Sequence, residues 1–249
     1  MRMYTDLAGW WPLLSPPSHY VEEAADLLPL LDDGDASAQT LLELGAGGGS
    51  LASHLKSRFT LTLTDRSPQM LAISAQVNPE CEHIPGDMMT LDLGREFDRV
   101  LVHDAIMYAT TPAEVRATLA TAARHCRPHG LVIVVPDHVR ETFEPDTEHG
   151  GEDSDVDNRG LRFLMWSWDP DPSDTTFEVA YAFLLRDADG QTTVDQDRHR
   201  EGLFSRDEWL AWLDEAGLNA RIHHDQWDRD VFIGVKRPAR DTGDDRRAD

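Results

Sequence analysis

Unbroken apolar runs and segments of helical spacing take turns along the first half of the chain. Thr40 to Leu44 reads as a short buried strand that stops at Gly45, and Leu51, Ala52 and Leu55 then recur at helical spacing. Phe59 to Thr64, Cys81 to Ile84, Phe97 to Val102 and Leu131 to Val135 are further strand-like runs. The last is wholly apolar, the pattern of a strand covered on both faces of a parallel sheet. Helices are predicted between them: Ser67-Pro68 opens one through Val77, and Thr111-Pro112-x-Glu114 opens another whose apolar positions are Val115, Leu119, Ala122 and Ala123. Ahead of the first strand, residues 1–38 carry Tyr4, Trp10, Trp11, Tyr20 and an amphipathic segment from Val21 to Leu31, and read as a helical cover.

The pattern changes after Val135. Glu141 to Gly160 is acid-rich and is expected to be a mobile loop. Three runs of strand character follow, Leu161 to Trp168, Thr175 to Arg186 and Gln191 to Arg200, separated by Asp/Pro/Gly turns. Ser205 with Glu208 then forms a capping box for a helix to Ala216, and two strands, Leu218 to Gln226 and Asp230 to Val235, close the fold. The expectation is an α/β protein with a Rossmann-like, seven-stranded, mostly parallel sheet, helices on both faces, and an antiparallel β-meander inserted after strand five. Its parts are a cover (1–38), a core (39–136 and 203–236), an inserted loop and lid (137–202) and a disordered tail (237–249).

Charge narrows the partners. Asp and Glu number 46 against 23 Lys and Arg, a formal net charge of −23. Such a chain repels a phosphate backbone, and no patch interleaves basic and aromatic residues, so nucleic acid is not an expected partner. Lysine occurs only at Lys56 and Lys236, a depletion compatible with a salt-rich cytoplasm or with a GC-rich genome. No run approaches the roughly 20 apolar residues of a membrane span, and the N-terminus lacks a basic-then-apolar leader, so no membrane contact and a cytoplasmic location are expected. Cys81 and Cys126 lack zinc spacing, and no metal site is expected.

Chemistry gathers at the strand ends. Gly45-x-Gly47-x-Gly49 sits where a strand hands over to a helix, a place where free backbone N–H groups meet a ligand. Asp65 ends the second strand, 20 residues beyond Gly45, where an acid accepts bonds from ribose hydroxyls. With Glu43, Asp87 and Asp104, acids end each of the first four strands. Glu43-Leu44-Gly45-x-Gly47-x-Gly49, Asp65, Gly86-Asp87-Met88 and Arg127-Pro128-x-Gly130 together resemble the class I S-adenosylmethionine (SAM) methyltransferases over residues 40–135 and 203–235.

That resemblance implies SAM as cofactor. Glu43 and the Gly45, Ala46, Gly47 and Gly49 backbone would hold its methionine part, Asp65 with neighbouring Arg66 the ribose, and Asp87 and Met88 the adenine. His103 would lie beside the methyl group. Transfer to a nitrogen or oxygen of a small molecule needs an aligned nucleophile and removal of its proton, for which His103, Tyr108 and Tyr4 are the candidates. The meander is similar to that of amino-sugar N-methyltransferases, where it covers the acceptor, and Arg162, Trp166 and His199 are the candidate substrate contacts. Its two largely apolar faces suggest a homodimer. Two alternatives remain open at this point: a noncatalytic SAM-binding protein, and a nicotinamide oxidoreductase, because Gly45-x-Gly47-x-x-Ser50 nearly fits that fingerprint.

Overall fold

The computed structural model describes residues 1–33 and 35–238, so most of the tail expected to be disordered lies outside the described residues. The cover comprises a one-turn helix α1 (Trp11–Leu14), helix α2 (Val21–Asp32) and single 3-10 turns at Arg2–Tyr4, Ala8–Trp10 and Pro17–Tyr20. The alternating region follows as β1 (Thr40–Leu44), α3 (Ala52–Leu55), β2 (Thr60–Asp65), α4 (Pro68–Val77), β3 (Glu82–Pro85), β4 (Phe97–Val102), α5 (Pro112–His125) and β5 (Cys126–Val134). After it come β6 (Asp146–Gly150), β7 (Gly160–Trp168), β8 (Thr176–Arg186) and β9 (Thr192–Gly202), then α6 (Arg206–Glu215), β10 (Leu218–His224) and β11 (Asp230–Lys236).

The large sheet has seven strands in the order β10-β11-β5-β4-β1-β2-β3. Only β11 runs against the others, pairing antiparallel with both β5 and β10. Both faces of each central strand are apolar because each meets helices. Leu42, Leu44, Val100, Val102, Val132 and Val134 pack with α5 and α6, whereas Leu41, Leu63, Leu101, Leu131 and Ile133 pack with α2 and α3. The predicted capping box of Ser205 with Glu208 forms, and Thr111 with Glu114 forms another at the predicted helix start, each such cap contributing about 1 kcal/mol. Strand five begins earlier than the apolar run suggested. It passes through Pro128-His129-Gly130 with His129 at φ 64° and an irregular register against β4, so the expected turn survives as a distortion within the strand.

The second sheet has the order β6-β7-β8-β9, all antiparallel. Strand β6 corrects the expectation that Glu141–Gly160 is a mobile loop. Asp146 to Glu148 and His149 are exposed, so their side chains give no apolar signal, and the strand is held by backbone pairing to Phe163–Ser167. Two contacts seat this sheet over the core. A Cβ on Gly202 would lie 2.3 Å from the Ala109 carbonyl oxygen, so the end of β9 abuts the loop after β4. On the other side Met3, Leu7 and Leu13 of the cover bury against Leu161, Phe183 and Leu185. No helix among the described residues is long and apolar enough to cross a membrane.

Candidate active site

Between the carboxyl ends of β1 and β4 the sheet order reverses, and there a cavity of about 660 Å³ opens. The glycine turn forms its floor. Gly45 and Gly47 have φ of 76° and 53°, a region that side chains other than glycine rarely adopt. A Cβ on Gly45 would lie 2.3 Å from Ala105 Cβ, and one on Gly48 2.3 Å from the Trp11 ring, so the turn is clasped on both sides. At Gly47 the nearest atoms would be 3.8 Å away, which leaves this position open toward the cavity. Asp65 is fixed by two backbone donors, Gly47 N–H at 3.0 Å and Ser67 N–H at 2.7 Å. Burial raises its carboxyl above the ordinary range, and those two bonds oppose the rise.

Glu43 is 3 % exposed, and its Oε2 is buried without a hydrogen-bond partner. Burial pushes its carboxyl up to about 7, against the pull of His103 and with the push of Asp104 and Asp65. A buried acid with a free oxygen beside an open glycine backbone suits a cationic amino-acid group. Asp87, held by the Met89 N–H at 2.8 Å, and Met88 line the far end. The residues present therefore fit SAM, whose sulfonium and ammonium are both positive.

His103 sits at the end of β4, 7 % exposed, between two acids. Nε2–H donates to Glu23 Oε1 at 2.9 Å, and Nδ1 lies 3.0 Å from Asp104 Oδ1 as an ion pair short of hydrogen-bond alignment. Burial alone would lower the imidazole pKa, but Asp104 and Glu23 overcome it and hold the value well above the ordinary one. Asp104 in turn is pushed up by burial yet brought down to about 2 by the His103 cation. Glu23 also accepts from Arg229 Nη2. Glu23, His103 and Asp104 bring metal-ligand atoms within 4.8 Å of one another, and the Arg229 cation on Glu23 compensates the charge of this cluster.

A second chain of bonds crosses the acceptor side. The Tyr4 and Tyr108 hydroxyls are 2.7 Å apart, Tyr108 Oη is 3.1 Å from His199 Nδ1, and His199 Nε2 is 3.2 Å from Asp197 Oδ2. Asp197 Oδ2 also accepts the Met3 N–H at 2.8 Å. An ionised Asp197 can only accept, which places a proton on His199 Nε2 and leaves Nδ1 to accept from Tyr108. The chain then runs one way, Tyr4 to Tyr108 to His199 to Asp197. Burial raises both tyrosine hydroxyls well above their ordinary range, so both keep their protons.

Most sequence-predicted residues meet here: Glu43, Gly45, Ala46, Gly47, Asp65, Arg66, Asp87, Met88, His103, Tyr108, Tyr4 and His199 all line the cavity. Three do not. Gly49 faces α4, where a Cβ would strike Ser74 Oγ at 2.3 Å, so it serves helix packing. Arg162 and Trp166 lie on the outer face of β7, Arg162 paired with Asp153 and Trp166 against Trp168, because strand alternation turns Phe163 and Met165 inward. His103 is present but not as the free base expected, since both ring nitrogens face carboxylates. Unforeseen residues include Trp11, Asp137 and Glu201. Asp137 lies three residues beyond the end of the fifth strand, so the strand-end rule that found Glu43 and Asp65 comes close to it as well. Glu201 continues the inward alternation of Asp197 and His199.

Fold and site together define a class I SAM-dependent methyltransferase. The comparisons with known proteins agree: a family model described as a methyltransferase domain matches residues 41–130. The chain is 31 % identical over 205 residues, 82 % of its length and 79 % of the relative's, to a dTDP-3-amino-3,6-dideoxy-α-D-glucopyranose N,N-dimethyltransferase of Streptomyces fradiae. It is 27 % identical, over 87 % of the chain and 91 % of the relative, to a dTDP-3-amino-3,4,6-trideoxy-α-D-glucopyranose N,N-dimethyltransferase of Streptomyces venezuelae. Among solved structures, DesVI of Streptomyces venezuelae superposes with a TM-score of 0.80 at 26 % identity, covering 93 % of this chain and 96 % of that one. The sugar N-methyltransferase KedS8 gives 0.79 at 25 %, covering 88 % of each. The chain belongs to the class I SAM-dependent methyltransferases, in the neighbourhood of enzymes that act on small molecules.

Proposed function

We propose that the protein methylates an amine of a small molecule, and that the Tyr108–His199 pair receives the amine's proton. SAM supplies a methyl group activated by its sulfonium. The protein's share is placement and proton handling, and placement alone can lower such a barrier by about 7 to 11 kcal/mol. An ammonium must lose a proton before its lone pair can form the N–C bond, while the pair of the breaking C–S bond stays on sulfur. Tyr108 can accept that proton as it passes its own to His199 Nδ1, and Asp197 then faces the resulting imidazolium. The one-way chain from Tyr4 to Asp197 carries this reading, and the N,N-dimethyltransferase relatives support nitrogen as the acceptor atom. His103, held as a cation, instead orients Asp104 and Glu23 at the rim of the cofactor site.

Incubation with labelled SAM and a panel of amines and alcohols tests the proposal. Label in amines, lost in His199→Asn with S-adenosylhomocysteine (SAH) affinity retained, is the expected result. Label only in alcohols, or full turnover by His199→Asn, would refute it. We further propose a cytoplasmic location without nucleic-acid partners, supported by the free Cys81 and Cys126 and by the charge of −23. A homodimer through the outer face of the second sheet belongs to the same proposal, since Leu164, Trp166 and Leu184 are about half exposed there, at 51 %, 53 % and 47 %.

A further inference from the structure

The acceptor half of the cavity is anionic to a degree that positioning a cofactor does not explain. Asp104, Asp137 and Glu201 line it together, and Glu148 of β6 stands on the same wall. Among the described residues Arg66, at the end of β2 on the cofactor side, is the only arginine lining the cavity, and no lysine does. The nearby Arg229 is already committed to Glu23 and Asp225. Glu201 stands out within this group. It is 8 % exposed and faces the cavity, no described residue gives it a hydrogen bond, and the neighbouring ring nitrogen, His199 Nδ1, is 3.8 Å away and already accepts from Tyr108. Its carboxylate is open to the cavity and lacks a partner among the described residues, so an incoming cation would gain a charge-assisted hydrogen bond there. Asp137 shows the same excess: burial first, then the charges of Asp104 and Glu201, raise its carboxyl well above the ordinary range. Around these acids, Phe163, Met165 and Tyr181 provide an apolar wall.

Resting on the methyltransferase reading, we propose that Glu201 anchors the ammonium of a small amine acceptor that carries no phosphate, and that the surrounding acids exclude nucleotide-diphosphate sugars. The acceptor thus departs from the dTDP-sugars in the names of the relatives. Glu201 lies two residues along β9 from His199, on the same inward face, so an ammonium held there is presented to the group that takes its proton. A diphosphate entering the same space would meet Glu201, Asp104 and Glu148 with no free cation on the acceptor side.

Calorimetry of the SAH complex tests this with two probes, dTDP and methyl 3-amino-3,6-dideoxy-α-D-glucopyranoside, the latter being the sugar amine without its nucleotide. The amino glycoside is expected to bind at pH 7, and dTDP to give no heat. Glu201→Gln should weaken the glycoside roughly 10- to 100-fold, the loss of a charged hydrogen bond, with SAH affinity unchanged. Glu201→Asp, which keeps the charge, should fall between. Binding of dTDP as tight as the glycoside, absence of glycoside binding, or an unaltered glycoside affinity in Glu201→Gln would each overturn the proposal. Loss of SAH binding by the wild-type protein is a different failure, that of the methyltransferase reading itself.

Discussion

The cofactor side of the cavity comes chiefly from one stretch of chain, Glu43 to His103, whereas the acceptor side joins Tyr4, Asp104, Tyr108, Asp137, His199 and Glu201 from across the sequence. In the first, successive parallel strands set their ends side by side, so residues about 20 apart in sequence become neighbours in the crevice. The groups offered there are largely backbone and acids locked to backbone, as Asp65 is to Gly47 and Ser67. In the second, side chains meet only because the cover and the second sheet close over the core. The cofactor chemistry is thus built into the fold, and the acceptor chemistry can change by altering one face of one sheet.

Substitutions should separate the two sides. The largest effect is expected at their seam: His103→Asn removes the cation that Glu23 and Asp104 share and leaves the buried Glu23 only Arg229, and breaking a buried pair costs at most about 3 to 5 kcal/mol. Because the imidazole pKa is raised in the folded state, its contribution is complete below the ordinary histidine pKa and fades as pH climbs through the elevated one. Chemical denaturation should therefore show a wide gap between wild type and variant at pH 6 that narrows in alkali. A uniform gap would mean that His103 acts through packing alone. Next, Tyr108→Phe should reduce kcat by roughly 100-fold while leaving SAH affinity intact. Joint loss of both would erase the distinction between the two sides.

Asp65→Ala should weaken SAH by roughly 10- to 100-fold and leave the binding of an acceptor amine little changed. A smaller and more diagnostic effect concerns Glu43. With its carboxyl at about 7 in the folded state, SAH affinity should rise up to about tenfold from pH 6 to 8 as the acid ionises to meet the ligand's ammonium, and Glu43→Gln should flatten that slope. The unliganded protein should lose stability over the window from the ordinary glutamate pKa up to about 7, because the native state there holds the extra proton. The smallest effect is expected for Trp166→Ser on the outer face: kcat and KM within about twofold of wild type. Light scattering of the same variant reports on the dimer, since a wild-type monomer at high concentration would remove it.

The same contrast governs what could be read in advance. The glycine turn, Asp65 and the strand ends were legible because chain order there is spatial order. Alternation along Leu161 to Trp168 showed two faces, but both are apolar, so composition could not say which turns inward, and Arg162 and Trp166 were placed on the wrong one. Strand β6 escaped because its residues are polar and exposed, and it forms by backbone pairing. His103 was correctly placed at the cavity, yet its charge state depends on Glu23, 80 residues earlier on a helix whose pattern speaks only of core packing.

The first residues of the chain belong to both sides at once. The Tyr4 carbonyl accepts from Ser67 Oγ beside the ribose acid, its hydroxyl joins Tyr108, and Met3 N–H holds the aspartate behind His199. Displacing this segment would therefore break the Tyr4–Tyr108 and Met3–Asp197 bonds together, which couples the two sides of the cavity. Where product release requires that displacement, exit is slower than chemistry, a kinetic order in which a single rapid turnover precedes the steady rate. Rapid mixing of the SAM-loaded enzyme with its acceptor should accordingly give a burst of methylated product close to one equivalent per site.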